Sequence, residues 1–230
     1  MIVHLWQELK KANRDYGGLA DHARWTQEKL TLLNNIIRQD ILNELTELNR
    51  EMEHPEKPLN TTNVKTAIGR IRRQIKFTKE YQDIGMVAPY WQNVADAIMR
   101  AKVGVNLERV TFEMEIHGVE IHADPLLEKV FFYLIDNSIR HGGSKLSKIR
   151  VYQKPADDGL IIVYEDNGDG IPPGKKLLIF PKEFGSRFGY GLFLIKEILA
   201  VTRISVREVG VSGMGARFEI LVPAGAFRIV

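Results

Sequence analysis

Apolar positions in the first third of the chain recur at the spacing of an α-helix. The stretch from Asp21 to about Glu53 contains no Gly or Pro, and its apolar residues lie mostly three and four positions apart: Leu30, Leu33, Ile37, Ile41, Leu45, Leu48 and Met52. After a break that holds two prolines, the pattern resumes up to about Gly85, at Val64, Ile68, Ile71, Ile75 and Ile84. The spacing predicts a helical hairpin. Because one hairpin cannot bury both faces of such a seam, two chains are expected to pair into a four-helix bundle.

Beyond the hairpin, patterns typical of strands and of helices alternate. Residues 85–89 indicate a linker, and residues 190–201 a strongly apolar helix. The other predicted elements are a helix over 91–99, a β-hairpin of 110–116 and 119–121 around Gly118, a helix over 130–141, paired strands at 149–151 and 160–165, and strands near 203–208 and 216–222. Helices with a mixed sheet predict an α/β sandwich. The predicted fold class is therefore α+β, with a linker helix in residues 1–20, the hairpin in 21–86 and the sandwich in 87–230.

Composition narrows the class of protein without identifying it. The 230 residues are 44% hydrophobic and 27% charged, which is ordinary for a globular protein, and a net charge of +3 is too small to indicate nucleic acid as a partner. The absence of cysteine excludes a disulfide framework and a thiolate metal site. No apolar run approaches the ~20 residues that cross a bilayer, and charged residues come too early for a signal peptide. We therefore expect a cytoplasmic location, with any membrane-anchored sensor domain outside this chain.

Candidate chemistry begins at the end of the helix over 130–141. Asp136, Asn137, Arg140 and His141 lie together there, followed by two glycines. A carboxamide, a guanidinium and an imidazole are groups that can meet a metal ion and a polyphosphate. The simpler interpretation is a helix C-terminus with a glycine stop and a cation that suits the helix dipole.

Two later stretches favour the chemical interpretation. Asp166 follows a buried apolar run, and its carboxylate can accept a hydrogen bond from an exocyclic amine. Gly168 and Gly170 carry no side chain, so a flat ring can approach the backbone there. Further on, the glycines of residues 189–191 open an apolar helix, whose first N–H groups can bind phosphate. Alone, the first stretch would be a plain turn and the second a glycine-rich loop.

Together these stretches resemble the ATP-binding domain shared by gyrase, the Hsp90 chaperones, the histidine kinases and MutL. The helix with Asn137 matches the N box, residues 166–170 match the DxGxG G1 box, and residues 189–192 match the GxGL G2 box. Residues 215–218 are similar to the last motif, and Phe180 and Phe184 look like the F box of histidine kinases. Order and spacing agree over residues from about 88 to 230.

The resemblance implies binding of ATP (or ADP) with Mg²⁺. It assigns Asn137 to the metal, Asp166 to the adenine amine, and Arg140 and His141 to phosphate. The full set of nucleotide-binding positions that it implies is Asn137, Arg140, His141, Asp166, Gly168, Gly170, Ile171, Phe180, Gly189, Tyr190, Gly191 and Leu192.

A helical hairpin before this domain resembles the architecture of a sensor histidine kinase. Residues 38–43, Arg-Gln-Asp-Ile-Leu-Asn, look like the Arg-His-Asp-Ile-Leu-Asn run of methanogen-type archaeal kinases, but Gln39 occupies the phosphoacceptor position. Asp40 takes the place of the family's acid or general base, and Asn43 that of the residue that orients water for dephosphorylation. A carboxamide nitrogen is not a usable nucleophile, so we expect autophosphorylation to be blocked. The residues alone leave Asp40 and Asn43 open as ordinary surface positions.

The resemblance implies a homodimer whose natural partner is a response-regulator receiver domain. Gln39 also favours a rival interpretation, a pseudokinase or phosphatase that docks a regulator and passes on a conformational signal. A second rival is an ATP-driven clamp of the MutL or Hsp90 type. It is disfavoured by Tyr133, which occupies the position where gyrase-like ATPases have a water-activating Glu.

Overall fold

The computed structural model describes residue 31 and residues 41–53, 61–180 and 190–230. The chain divides into two compact units, Met1–Gln82 and Asp83–Val230. The predictions for residues 1–30, for 32–40 and for 181–189 lie outside the described residues.

The first unit contains two of the helices that the heptad-like pattern predicts. Helix α1 spans Leu42–Met52 and helix α2 spans Thr61–Asp83, of which only the last residue belongs to the second unit. An ion pair joins the two helices, with Arg70 Nη1 3.2 Å from Glu44 Oε1. On α2 the rings of Phe77 and Tyr81 are stacked at 5.8 Å, and both are buried.

The second unit holds three further helices of nine or more residues, one short helix and eight strands among its described residues. Their bounds are β1 Tyr90–Asn93, α3 Val94–Lys102, β2 Thr111–Glu115, β3 Val119–Ala123, α4 Leu127–His141, β4 Lys148–Ala156, β5 Gly159–Asp166, α5 Pro173–Lys176, α6 Gly191–Ala200, β6 Ser205–Glu208, β7 Arg217–Pro223 and β8 Phe227–Ile229.

The strands form two sheets. The larger one has the order β2-β4-β5-β7-β6; β2 and β4 are parallel and the other pairs are antiparallel. The smaller one, β1-β3-β8, is antiparallel throughout. Helix α4 packs against both α3 and α6, and its apolar stripe of Val130, Phe131, Leu134 and Ile135 is fully buried. This α+β arrangement with a mixed sheet confirms the predicted fold class of the domain.

Two details of the predicted fold are wrong. Residues 90–93 form a strand that pairs with β3, and the helix begins only at Val94, where the Asn93 side chain accepts a hydrogen bond from the Asp96 N–H. Strands β2 and β3 do not form a hairpin with each other, because β2 pairs with β4 in the larger sheet and β3 pairs with β1 and β8 in the smaller one. Gly118, at a φ of +58°, lies where the chain leaves one sheet for the other, and it accepts a hydrogen bond from the Val230 N–H.

No helix among the described residues is both long enough and apolar enough to cross a membrane.

Candidate functional site

A cavity of about 180 Å³ opens where the ends of α4 and β5 meet the loop that begins at Gly170. It is lined by Asn137, Ser138, His141, Gly142, Asp166, Gly170, Ile171, Pro172, Lys175, Ile179, Leu192, Ala216 and Phe218. Six of these residues are among the predicted nucleotide positions: Asn137, His141, Asp166, Gly170, Ile171 and Leu192. The structure therefore brings together residues that lie up to 55 positions apart in the sequence.

Asp166, the last residue of β5, is held by three hydrogen bonds from the protein itself. Its Oδ1 accepts from the N–H groups of Gly168 and Ala216, each at 3.0 Å. Its Oδ2 accepts from the Ser138 hydroxyl at 2.5 Å. The carboxylate is thus fixed in the cavity wall as a hydrogen-bond acceptor before any ligand arrives.

Ser138 and Tyr164 are site residues that sequence analysis missed. The Tyr164 hydroxyl lies 2.9 Å from Ser138 Oγ, and both side chains are buried. Burial raises the pKa of the Tyr164 phenol well above its usual value, and the nearby Asp166 charge adds to that effect. The available signal was positional: Tyr164 precedes Asp166 by two residues on the same face of β5, and Ser138 directly follows Asn137.

Asn137 lines the cavity, and its Nδ2 atom is buried without a hydrogen-bond partner. A carboxamide can turn about its last bond so that its oxygen takes this place. No group of three or more His, Asp or Glu side chains in the described part of the chain could hold a metal ion. The Asn137 carboxamide thus fits Mg²⁺ as one protein ligand, with phosphate and water oxygens completing the coordination shell.

Arg140, predicted to reach phosphate, does not line the cavity. Its Nε lies 2.8 and 2.7 Å from the two carboxylate oxygens of Asp136, one turn earlier on α4, and its side chain is about half exposed. His141, one residue later, is exposed and does line the cavity. Of the two side chains predicted to reach phosphate from the end of α4, the structure brings one, His141, to the cavity.

The glycines after β5 have a packing role that was not predicted from the sequence. A Cβ on Gly168 would lie 2.6 Å from the Gly142 backbone, and a Cβ on Gly170 would lie 2.8 Å from the Gly215 carbonyl oxygen. Three backbone segments therefore cross at close range beneath the cavity, and Gly170 also adopts a φ of +68°. The absence of side chains here permits backbone packing, and only Gly170 of this pair also faces the cavity.

A glycine also permits close packing at the start of helix α6. A Cβ on Gly191 would lie 2.9 Å from the ring of Tyr133 on α4, so this glycine allows the two helices to approach. Leu192 lines the cavity, whereas Tyr190 and Gly191 do not. Gly189, the remaining residue of the predicted motif, lies outside the described residues.

The loop after Gly170 supplies the apolar wall of the cavity. Ile171, Pro172 and Ile179 line it, together with Lys175. Phe180 does not line it, but its ring meets the Phe218 ring edge-on at 6.4 Å, and Phe218 is in the lining. Phe184, the second aromatic residue of the predicted F box, lies outside the described residues.

An ion pair between a partly exposed lysine and a buried carboxylate holds the first turn of this loop. Lys176 Nζ lies 2.7 Å from Glu208 Oε2 and also donates to the Gly210 carbonyl. Glu208 Oε1 accepts from the N–H groups of Gly210 and Arg217, at 2.9 and 3.3 Å. One carboxylate thus joins α5 to the segment between β6 and β7.

Of the three residues predicted to act in the hairpin, the structure describes one. Asn43 lies on α1 and is exposed, while Gln39 and Asp40 lie outside the described residues.

Comparison with known proteins is consistent with this geometry. Residues 122–226 match the model of the family described as histidine kinase-, DNA gyrase B- and HSP90-like ATPase. The alginate biosynthesis sensor protein KinB of Pseudomonas aeruginosa is 37% identical over 128 residues, which are 50% of this chain and 20% of that protein. A probable C4-dicarboxylate sensor kinase of Bacillus subtilis (strain 168) is 27% identical over 122 residues, 51% of this chain and 22% of that protein. The matches thus span about a fifth of the length of these relatives.

Solved structures show the same fold at low sequence identity. The histidine kinase AdeS of Acinetobacter baumannii superimposes with a TM-score of 0.58 at 16% identity, covering 81% of this chain and 98% of that one. The mycobacterial sensor histidine kinase MprB gives a TM-score of 0.53 at 21% identity, covering 61% and 100%. Residues 122–226 are thus similar to the ATPase domain of the histidine kinase, DNA gyrase B and HSP90 kind, and the solved structures share its fold. Together these likenesses support a sensor histidine kinase core.

Proposed function

We propose that the chain is the dimeric catalytic core of a two-component histidine kinase. In this proposal residues 87–230 bind ATP (or ADP) with Mg²⁺, and residues 21–86 form the dimerisation and phosphoacceptor hairpin. The relatives that match are described as sensor proteins and sensor kinases, which supports this class over the other branches of the family.

The observation that carries the proposal is the carboxylate of Asp166 in an otherwise mostly apolar cavity. Ile171, Ile179 and Leu192 provide surfaces against which a flat purine can pack. Asp166 provides a fixed acceptor for the exocyclic amine of adenine. Adenine, which has apolar faces and an amine donor at one edge, matches apolar walls with a single fixed acceptor.

The phosphates would lie toward the end of α4. Asn137 would hold Mg²⁺ and His141 would contact a phosphate oxygen; the ion would supply charge neutralisation at the transferring phosphoryl group. Glycines 189 and 191 would let the chain approach the phosphates at the start of α6. Arg140 would have to leave Asp136 to take part.

In the hairpin, Gln39 occupies the position where a kinase of this type carries its acceptor histidine. The carboxamide cannot accept the phosphoryl group as an imidazole does. Asp40 would act as the adjacent base, and Asn43, exposed on α1, would orient water for dephosphorylation of a response regulator. Exposed apolar side chains on both hairpin helices, including Leu45, Ile68 and Ile75, support pairing of two copies.

The second candidate is a pseudokinase or phosphatase that binds a receiver domain without phosphorylating itself, and Gln39 favours it. One measurement distinguishes the two functions: only the kinase core should become phosphorylated when position 39 is changed to histidine. A MutL- or Hsp90-type clamp is a weaker candidate, because Tyr133 offers no carboxylate to activate water. No nucleic-acid partner and no substrate beyond a receiver domain is proposed, and the upstream sensor domain would lie outside this chain.

Nucleotide binding to an Asp166→Ala variant tests the proposal. Titration calorimetry with ADP and Mg²⁺ should show binding to the unaltered chain and a loss of about tenfold or more in the variant, because an unpaired polar edge costs about 1–3 kcal/mol. Asp157→Ala, in the exposed turn between β4 and β5, is the matched control and should bind normally. Circular dichroism would check that both variants fold. Unchanged affinity in a folded Asp166→Ala variant would remove the basis for the adenine assignment.

A further inference from the structure

A chain of three polar side chains runs through the otherwise apolar interior behind the cavity. Tyr164, Ser138 and Asp166 are 0%, 3% and 9% exposed, respectively. The Tyr164 hydroxyl is 2.9 Å from Ser138 Oγ, which is 2.5 Å from Asp166 Oδ2. Such a buried network is costly unless each member has a partner, and here each one has.

The direction of each hydrogen bond follows from the chemistry of Asp166. An ionised carboxylate can only accept, so the Ser138 proton points to Asp166 Oδ2. Ser138 then has only lone pairs to offer Tyr164, so the Tyr164 hydroxyl donates to Ser138 Oγ. Tyr164 has this proton available at neutral pH, since a phenol ordinarily ionises near pH 10 and burial raises the pKa of Tyr164 further. The order is therefore Tyr164 to Ser138 to Asp166.

Counting acceptor sites shows what remains for a ligand. A carboxylate has about four lone-pair sites, two on each oxygen. Gly168 and Ala216 use both sites on Oδ1, and Ser138 uses one on Oδ2. One acceptor site, on Oδ2, is left for a donor in the cavity that Asp166 lines.

We propose that Ser138 and Tyr164 are positioning residues that hold Asp166 Oδ2 for one donor of the ligand, and that they thereby select purine nucleotides with an amino group at C6. This inference rests on the nucleotide-binding function proposed above. A 6-oxo purine would bring an acceptor to an acceptor, and a purine without a substituent would leave the Oδ2 site unused. Neither Ser138 nor Tyr164 needs to touch the purine amine for this role.

ADP, one ADP analogue and a set of variants test the selection directly. The dissociation constants of ADP and of purine riboside diphosphate, which lacks the C6 amino group, would be measured by calorimetry with Mg²⁺. The unaltered chain should favour ADP by about tenfold, since a hydrogen bond to a charged group is strong. Ser138→Ala and Tyr164→Phe should lower this ratio to about two- to threefold, while binding of the analogue stays within about twofold. Ser138→Cys, a weaker donor of similar size, should give an intermediate ratio, and it serves if Ser138→Ala does not fold.

The double variant and a control separate positioning from a general structural effect. Because Tyr164 acts through Ser138, adding Tyr164→Phe to Ser138→Ala should not lower the ratio further. Tyr152→Phe removes a hydroxyl from the opposite face of the sheet, where it faces Glu165, and should leave the ratio unchanged. An ADP-to-analogue ratio that stays tenfold in both single variants would overturn the inference, and so would equal losses for both nucleotides. If the unaltered chain bound neither nucleotide, the proposed function would fail and this inference with it, whereas binding with an unchanged ratio would overturn the inference alone.

Discussion

The pKa of Tyr164 is raised well above its usual value, because a phenolate at this buried position would be without water and close to the Asp166 carboxylate. The raised pKa makes the stability of the folded protein depend on pH in the alkaline range. In the unfolded chain the hydroxyl ionises near its ordinary pKa of about 10, while in the folded protein it ionises only at a higher pH. The contribution of the bound proton to stability is thus fully present below about pH 10 and is lost as the pH rises above it.

Removing the Tyr164 hydroxyl should therefore change both the free energy of unfolding and its dependence on pH. Near pH 7, Tyr164→Phe should lower the free energy of unfolding by about 1 kcal/mol through the lost hydrogen bond. Above about pH 10 the unaltered chain should lose stability relative to the variant by up to about 1.4 kcal/mol per pH unit, so the two curves should converge and cross. Urea titrations between about pH 7 and 11 would measure the difference. A difference that stays constant over that range would contradict the assignment.

At the scale of single residues, the sequence predicts those site positions that a motif marks and misses those that only packing defines. Asp166, Asn137 and His141 line the cavity, and their nucleotide-binding roles stay predictions. Ser138 was not predicted, because a serine within a helix forms part of no motif until its distance to Asp166 is known. The glycines were assigned to ligand approach, but the space beside Gly168 is filled by the Gly142 backbone, which no local pattern indicates.

At the scale of elements, the ion pair between Lys176 and Glu208 connects the loop over the cavity to the sheet. Glu208 is almost completely buried, while Lys176 is about a quarter exposed. A buried carboxylate that loses its cation keeps its charge in a poorly solvated place, which is more costly than the pair itself is stabilising. Because Lys175 and Ile179 lie on either side of this contact in sequence and line the cavity, the pair also positions part of the cavity wall.

Replacing the cation alone should show this cost. Lys176→Met should lower the free energy of unfolding by about 2 kcal/mol, less than for a fully buried pair because Lys176 is partly solvated. Combining it with Glu208→Gln should recover part of the loss, since the stranded charge is then removed. Lys145→Met, at an exposed position, is the control and should stay within about 0.5 kcal/mol. A loss in Lys176→Met no larger than that of the control, measured from denaturant midpoints, would show that the pair does not hold the loop.

The prediction of secondary-structure elements succeeded where it depended on the local sequence pattern. It failed where it depended on which strands pair with each other. The pairing of β4 with β5 follows from a short turn between them, and the structure has it. The alternation in residues 110–121 correctly indicated two strands, but alternation does not reveal that β2 pairs with β4 and β3 with β1 and β8. Strand β1 was missed because four residues are too few for a period to be seen, although Asn93 before Asp96 was a usable helix-start signal.

At the scale of the whole molecule, the hairpin exposes the apolar side chains that its repeat predicted as a seam. Ile68 and Ile75 on α2 are about half exposed, as is Leu45 on α1. Exposed apolar side chains on a helical hairpin are stabilised when a second copy covers them. The four-helix bundle therefore remains our expectation for the assembled protein.

Sedimentation velocity should show a dimer at tens of micromolar, an order of magnitude set by ordinary association constants. Deleting residues 1–86 should leave a monomer. Ile68→Glu with Ile75→Glu should also dissociate the dimer, because charge would be buried without a partner, whereas Lys65→Glu on the same helix should not. A monomeric unaltered chain, or a dimer that persists without residues 1–86, would count against the bundle.

The last prediction joins both parts of the molecule in one reaction. Incubated with labelled ATP and Mg²⁺, the unaltered chain should carry no acid-labile phosphate, because no imidazole occupies position 39. Gln39→His should restore the label, since Asp40, Asn137 and Asp166 remain in place to serve the transfer. Glutamine and histidine are both polar and similar in size, so the stability should change by no more than about 0.5 kcal/mol. Adding Asp166→Ala to Gln39→His should abolish the label again, which would tie the phosphorylation to the nucleotide cavity. A Gln39→His chain that binds ATP yet stays unlabelled would favour the pseudokinase. Labelling of the unaltered chain on another residue would show that the hairpin is not the phosphotransfer element.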